Sequence, residues 1–205
     1  LLQWEVSVRY VLEHKQLTRK KVVREAAIAI REHGPDRIGI ASLMAKAGLT
    51  HGGFYAHFKS KDELVGEAIS HMFDERYEAF LKHMEGVEPA RGLAAFVDRY
   101  LSVRLRNRPN EGCPLPSLSG DLARMPAAAR KRFEAGTRRL TDSIADKLRA
   151  IKRPHPDALA ASVLSEMVGA MAIARAISDS ARSEQILKDT RDSVKARMGL
   201  AKFSI

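Results

Sequence analysis

ASLMAKAGLTHGGFYAHFKSKDEL, Ala41 to Leu64, reads as two short helical runs joined at a glycine and followed by the start of a third helix. The first run, about 40–47, stops at Gly48, which is free to take the left-handed conformation that ends a helix. Leu49 then turns inward, and Thr50 stands where the next helix, about 51–57, needs an N-cap. Phe54 and Phe58, four apart, share an inner face. The opposite face carries His51, Gly52, Tyr55, Ala56 and Lys59. Ser60-Lys61-Asp62-Glu63 is a capping box that opens a long helix. Two short helices at a sharp turn, with polar donors on the outside, have the geometry of a helix-turn-helix.

Working outward, the pattern stays helical. Val22, Val23, Ala26, Ala27 and Ile30 form the stripe of a helix over about 18–33 that stops at Gly34-Pro35. The helix opened at Ser60 runs to about Met84. Later segments at 89–106, 127–151, 157–178 and 184–198 keep the three-and-four spacing, with a Pro-rich connection at 109–116 between them. All eight prolines fall between these segments, as the missing N–H and ring clash require. The predicted fold is all-α, about nine helices. An arm spans 1–17, possible disorder included, with Val8 one candidate for a true start. A helix-turn-helix head spans 18–59 and a helical body 60–205.

Of 205 residues, 35 are Lys or Arg and 25 are Asp or Glu, a net charge of +10. Such an excess suits an anionic partner. Residues 18–60 carry a net +5 and residues 111–205 a net +6. Charge alone therefore does not decide which region meets the anion. The basic stretch from Arg124 to Arg153 is broken by Glu134, Asp142 and Asp146 and lacks interleaved aromatics other than Phe133, which fits a solvated face better than a second nucleic-acid surface. The longest uninterrupted apolar run, Met167 to Ala174, is too short to span a bilayer, so no membrane partner is expected, and no leader pattern opens the chain. A single cysteine, Cys113, excludes an internal disulfide and a Cys-only zinc site. No metal-binding spacing, phosphate loop or nucleophile elbow occurs, so neither a metal nor a cofactor is expected.

Gly48 to Leu64 resembles the recognition-helix signature of the TetR family of bacterial transcriptional repressors, and Thr18 to Ala27 with Ala41 to Ala45 fits the same three-helix head. The resemblance covers about residues 18–66. It implies a cytoplasmic, nucleoid-associated homodimer that binds double-stranded DNA and answers to a small-molecule effector. By position, it implies phosphate contacts from Ser42, Thr50, Tyr55, His57 and Lys61, joined by the donor Lys59. His51, Gly52, Gly53 and Ala56 take the positions that face base edges. The glycine pair departs from the usual pattern: it costs a helix roughly 2 kcal/mol relative to alanine and offers no side chain for readout. It also implies dimerisation through helices 157–178 and 184–198, whose small residues permit close approach.

Phe73, Phe80, Met84, Phe96, Tyr100, Met125, Met167 and Met171 are the candidates to line an effector pocket, although each also suits plain core. The run Gly112 to Arg124 is similar to a linker of one branch whose members sense reactive compounds. On that reading Cys113 is a redox sensor, with Arg104, Arg106 and Arg108 favouring its thiolate; otherwise it is a packing residue before Pro114. The expected effector is thus lipophilic or thiol-reactive, and the expected role a repressor rather than an enzyme. An activator of the same fold, or a small thiol enzyme using Cys113, are the alternatives.

Overall fold

A computed structural model describes the backbone of residues 2–203 and the side chains of residues 13–203. Among the described residues there are nine α-helices, four short 3-10 segments and no strand. The α-helices are α1 (Leu2–His33), α2 (Ile40–Lys46), α3 (Lys61–Met84), α4 (Pro89–Tyr100), α5 (Val103–Arg106), α6 (Pro114–Leu118), α7 (Ala127–Ala150), α8 (Pro156–Ala176) and α9 (Ser180–Met198).

Four boundaries differ from the sequence reading. The segment 1–17 is not a separate arm: α1 is continuous from Leu2, so the 18–33 stripe is its C-terminal half. The expected helix 89–106 breaks at Leu101. There Ser102 donates from its Oγ to the Arg99 carbonyl (2.8 Å) and accepts from the Leu105 N–H (3.2 Å), capping a new helix instead of continuing the old one. The last helix starts at Ser180 rather than 184, because the Asp179 carboxylate accepts from the Arg182 N–H. The fourth, the recognition segment, is treated below.

The head packs α1, α2 and the 51–58 segment around Val22, Ala26, Ile30, Met44, Phe54 and Phe58, all buried. α3 leaves the head and enters the body, where it lies against α7; α7 packs in turn on α8, and α8 on α9. Gly136 on α7 faces the Phe73 ring so closely that an added Cβ would stand 2.2 Å from it, which fixes how near α3 and α7 approach. Four of the ten basic residues from Arg124 to Arg153 pair with acids: Arg124 with Asp121, Arg138 with Glu134, Arg139 with Asp74, and Arg149 with Asp146 and Asp157. Most of the basic residues in this stretch are exposed.

α8 corrects the membrane argument. It is 21 residues long with a mean hydropathy of 1.5 over its most apolar window, enough by length and composition to cross a bilayer. Run length missed this because Ser162, Ser165 and Glu166 interrupt the run without lowering the average much. The helix packs on α6, α7 and α9, and Val163, Leu164, Met167 and Met171 are buried in the core.

Candidate functional site

The turn in the head forms as its residues dictate. Gly48 takes φ +78°, its N–H donates to Ala45 O (2.9 Å) and the Leu49 N–H to Met44 O (2.8 Å). These are the paired bonds that close a helix on a left-handed glycine. Thr50 holds the N-cap position, but its hydroxyl makes no capping hydrogen bond and stays exposed.

The next element is not the α-helix that the spacing predicts. His51–Ala56 is a 3-10 helix, held by bonds from Gly53 N to Thr50 O and from His57 N to Phe54 O. Two adjacent glycines raise the entropic cost of α-helix, and six residues are too few for propagation to offset it. Tertiary anchoring replaces helix propensity. Phe54 and Phe58 are each 1% exposed, with stacked rings 5.5 Å apart. The Arg19 guanidinium lies 4.3 Å over the Phe58 ring and also binds Glu63 and Glu67 on α3. Glu63 accepts from the Lys59 N–H (2.6 Å) while its own N–H donates to Ser60 Oγ (3.1 Å), completing the box one residue further out than expected. These donors hold the Glu63 carboxyl below its ordinary range, the Lys59 N–H being the main cause and Arg19 the next.

Pinned from behind, the segment turns its other side outward. Ser42, Thr50, His51, Gly52, Tyr55, Ala56 and Lys59 are all exposed, Tyr55 at 70%. Gly53 is half-buried. Lys61 reaches back to the Asp36 carbonyl (3.1 Å) across the α1–α2 turn. His57 is half-buried, with a buried Nδ1 that has no hydrogen-bond partner. Burial lowers its pKa, and the nearby charges of Lys15, Arg19 and His14 lower it further. Both effects disfavour the charged imidazolium. Lys15 and His14 thus stand beside the recognition segment. Sequence reasoning missed them by assigning residues 1–17 to an arm; continuing the α1 periodicity upstream of Leu17 places both on the turn before Arg19.

Neither glycine of the pair is needed for packing. An added Cβ at Gly52 would meet nothing within 4 Å and at Gly53 only ordinary contacts of 3.7 Å, and neither has a positive φ. Gly52→Ala is expected to leave the head as stable or more so, by up to about 1 kcal/mol, while changing affinity or site preference for DNA. Urea unfolding and DNA-binding titrations check both halves; unchanged DNA binding would remove Gly52 from the groove-facing set.

A second site lies in the body. Phe80 and Phe96 cross edge to face (5.1 Å), and Tyr100 follows at 6.0 Å. With Arg76, Leu105, Cys113 and Leu140 they enclose a cavity of about 20 Å³, room for roughly one water. Of the predicted pocket residues only Phe80, Phe96 and Tyr100 line it. Phe73 packs on Phe133 (5.4 Å), Met125 lies between α7's start and the Pro35 turn, and Met84, Met167 and Met171 lie elsewhere in the packing. Arg76, His83, Arg99 and Leu140, which the reading passed over, take their places.

Cys113 joins this cavity and is 2% exposed. Burial pushes its thiol pKa up, only partly countered by the Leu115 backbone N–H, Tyr100 and Arg76. The thiolate-favouring role of Arg104, Arg106 and Arg108 does not hold: Arg104 and Arg108 bind Glu111, and Arg106 binds Ser183 Oγ (2.8 Å). Gly112 has a packing role, since an added Cβ would stand 2.7 Å from the Arg175 guanidinium as it reaches the Leu105 carbonyl.

Residues 22–68 match the profile of the bacterial regulatory proteins of the tetR family. The head is thus similar to the tetR family by sequence, and the whole chain shares the fold of solved TetR-family regulators. A TetR transcriptional regulator from Chloroflexus aurantiacus J-10-FL shares 25% identity and a TM-score of 0.77, over 91% of this chain and 96% of its own. A TetR-family transcriptional regulator from Agrobacterium tumefaciens shares 20% at a TM-score of 0.74, over 87% and 98%. Reduced E. coli NemR shares 17% at 0.77, over 87% and 95%. No curated protein matches the chain. The match over the helix-turn-helix head and the shared fold support a DNA-binding regulator.

Proposed function

We propose that this protein is a TetR-like homodimeric repressor that grips a palindromic operator and lets go when a small lipophilic molecule enters its body. The observation that carries the reading is the two-sided recognition segment: its inner aromatics are locked, while Tyr55, His51, Ala56 and Lys59 face outward as a group. Phosphates are met by Ser42, Thr50, Tyr55, Lys59 and His57, with Lys61 supporting the turn from behind. Base edges are met by His51, Gly52, Gly53 and Ala56, so readout depends on close backbone approach, methyl contact and DNA shape.

Dimerisation is supported by α8, which leaves Ala161, Ser165 and Ile173 exposed beside Gly169, where an added Cβ would meet only open space. A stripe this small and apolar suits close packing against its own symmetry mate, and a two-fold pair presents two recognition segments to one duplex. Effector control runs through α3, whose 24 residues join the recognition segment to the cavity wall at Arg76 and Phe80. A ligand that prefers one spacing of the heads by a few kcal/mol empties the operator. A thiol-reactive effector fits less well than a lipophilic one, because Cys113 is buried with a raised pKa.

Selection of bound fragments from random DNA tests the reading. The expected product is an inverted repeat with half-sites about one helical turn, roughly 34 Å, apart or a multiple of it. Lys59→Ala should weaken every selected site alike and reduce the slope of log affinity against log salt by about one. Failure to enrich any sequence, or an unaltered slope, goes against the proposal.

A further inference from the structure

The cavity holds more uncompensated positive charge than a lipophilic molecule needs. Arg76 lies on its wall with a buried Nε that has no hydrogen-bond partner, and among the described residues its guanidinium forms no ion pair. The adjacent acid, Glu75, is committed to Arg31 (2.6 Å). Arg175, close enough to act electrostatically on Tyr100 and Cys113, binds only Ser117 Oγ and the Leu105 carbonyl, and its Nε is also unpartnered. The Tyr100 hydroxyl is buried beside the Cys113 thiol and has no nitrogen or oxygen partner. Burial lowers the pKa of Arg76 and raises that of Tyr100 well above the ordinary phenol. The Arg76 guanidinium and the Tyr100 phenol are therefore desolvated on one cavity wall, with Arg175 near the phenol but outside the cavity and the neighbouring Glu75 carboxylate hydrogen-bonded to Arg31, an arrangement that costs stability unless an acceptor arrives.

The cavity also has an approach. An open groove of about 400 Å³ adjoins it, sharing Arg76, Ala79, His83 and Arg99 with the cavity lining. Lys82, Glu75 and Glu78 complete the groove, so the rim is mixed in charge while the interior is cationic and aromatic.

We propose that this cavity takes the carboxylate of a small amphipathic organic acid at Arg76 and Tyr100, with the acid's apolar part against Phe80, Phe96 and Leu140. The inference rests on the effector reading above and gives it a chemical class. Guanidinium and phenol both donate, which suits a carboxylate and leaves a neutral amide's own N–H groups without acceptors. At about 20 Å³ the cavity must widen to admit such a molecule. Arg76 and Phe80 both belong to α3, so widening moves the helix that carries the head.

Calorimetric titration of the full chain, without DNA, with 4-phenylbutyrate and octanoate against 4-phenylbutyramide and octanamide provides the test. The acids are expected to bind saturably and roughly ten- to a hundredfold more tightly than their amides, as charge-assisted hydrogen bonds imply. Arg76→Met should erase that preference while leaving amide affinity within a fewfold. The acid–amide comparison on the unaltered protein stands even if the variant does not fold. Equal binding of acids and amides, or no saturable binding of any of the four, overturns the proposal. Because DNA is absent, a failure here leaves the operator selection untouched, and acid binding without DNA enrichment would count against the regulator reading alone.

Discussion

Phe58→Ala is expected to destabilise the head by about 3–5 kcal/mol, the usual cost of emptying a buried phenylalanine site, and to remove detectable DNA binding. Phe58 is 1% exposed and stacks on Phe54, and it carries the Arg19 guanidinium that also ties α3 through Glu63 and Glu67. The cavity left by alanine would sit directly behind a 3-10 segment with two glycines and no side-chain cap. That segment holds its shape through these anchors rather than through its own hydrogen bonds, so loss of the ring should release Tyr55 and His57 together. Urea unfolding followed by circular dichroism should show a lowered or separate first transition, and fluorescence anisotropy with selected DNA should show no saturable binding. A loss of less than about 1 kcal/mol with DNA binding intact would show that propensity, not anchoring, holds the segment.

Asp98→Ala is expected to cost about as much, roughly 3–5 kcal/mol, by leaving a buried cation unpaired. The Lys195 side chain is 2% exposed, and its ammonium meets the Asp98 carboxylate at 2.7 Å and the Phe203 carbonyl at 3.3 Å. Arg191 approaches the same carboxylate at 3.8 Å. Without Asp98 the Lys195 ammonium keeps only a carbonyl, in a part of the body that joins α4 to α9. Replacing both partners, Asp98→Leu with Lys195→Met, should recover much of the loss, since an apolar pair avoids desolvating charge. Thermal and urea unfolding of the single and the double variant measures this directly. A single variant as stable as the original protein would mean that water reaches Lys195 freely.

The pair illustrates what a linear reading reaches. Phe54, Phe58 and Gly48 lie within eleven residues, and their roles follow from spacing and from glycine's access to positive φ. Asp98 and Lys195 are 97 residues apart, and each alone looks like one more solvated charge on a helix. The recognition segment falls between these cases: its position and outward residues were legible, but its 3-10 form was not. Helix propensity and tertiary anchoring compete there, and only the packing of the two rings tells which prevails.

The sequence by itself determined that the chain is all helix, where the helix-turn-helix lies, and which residues of it look outward, because those properties arise from periodicity, proline placement and contacts short in sequence. Only the tertiary structure decided that α1 carries His14 and Lys15 to the flank of His57, that Cys113 is a buried thiol with a raised pKa, and that Arg76 is a charge turned into an aromatic cavity. Desolvation is the physical reason: whether a cation or a thiol keeps its ordinary chemistry depends on what distant segments pack over it, and no local pattern of residues records that.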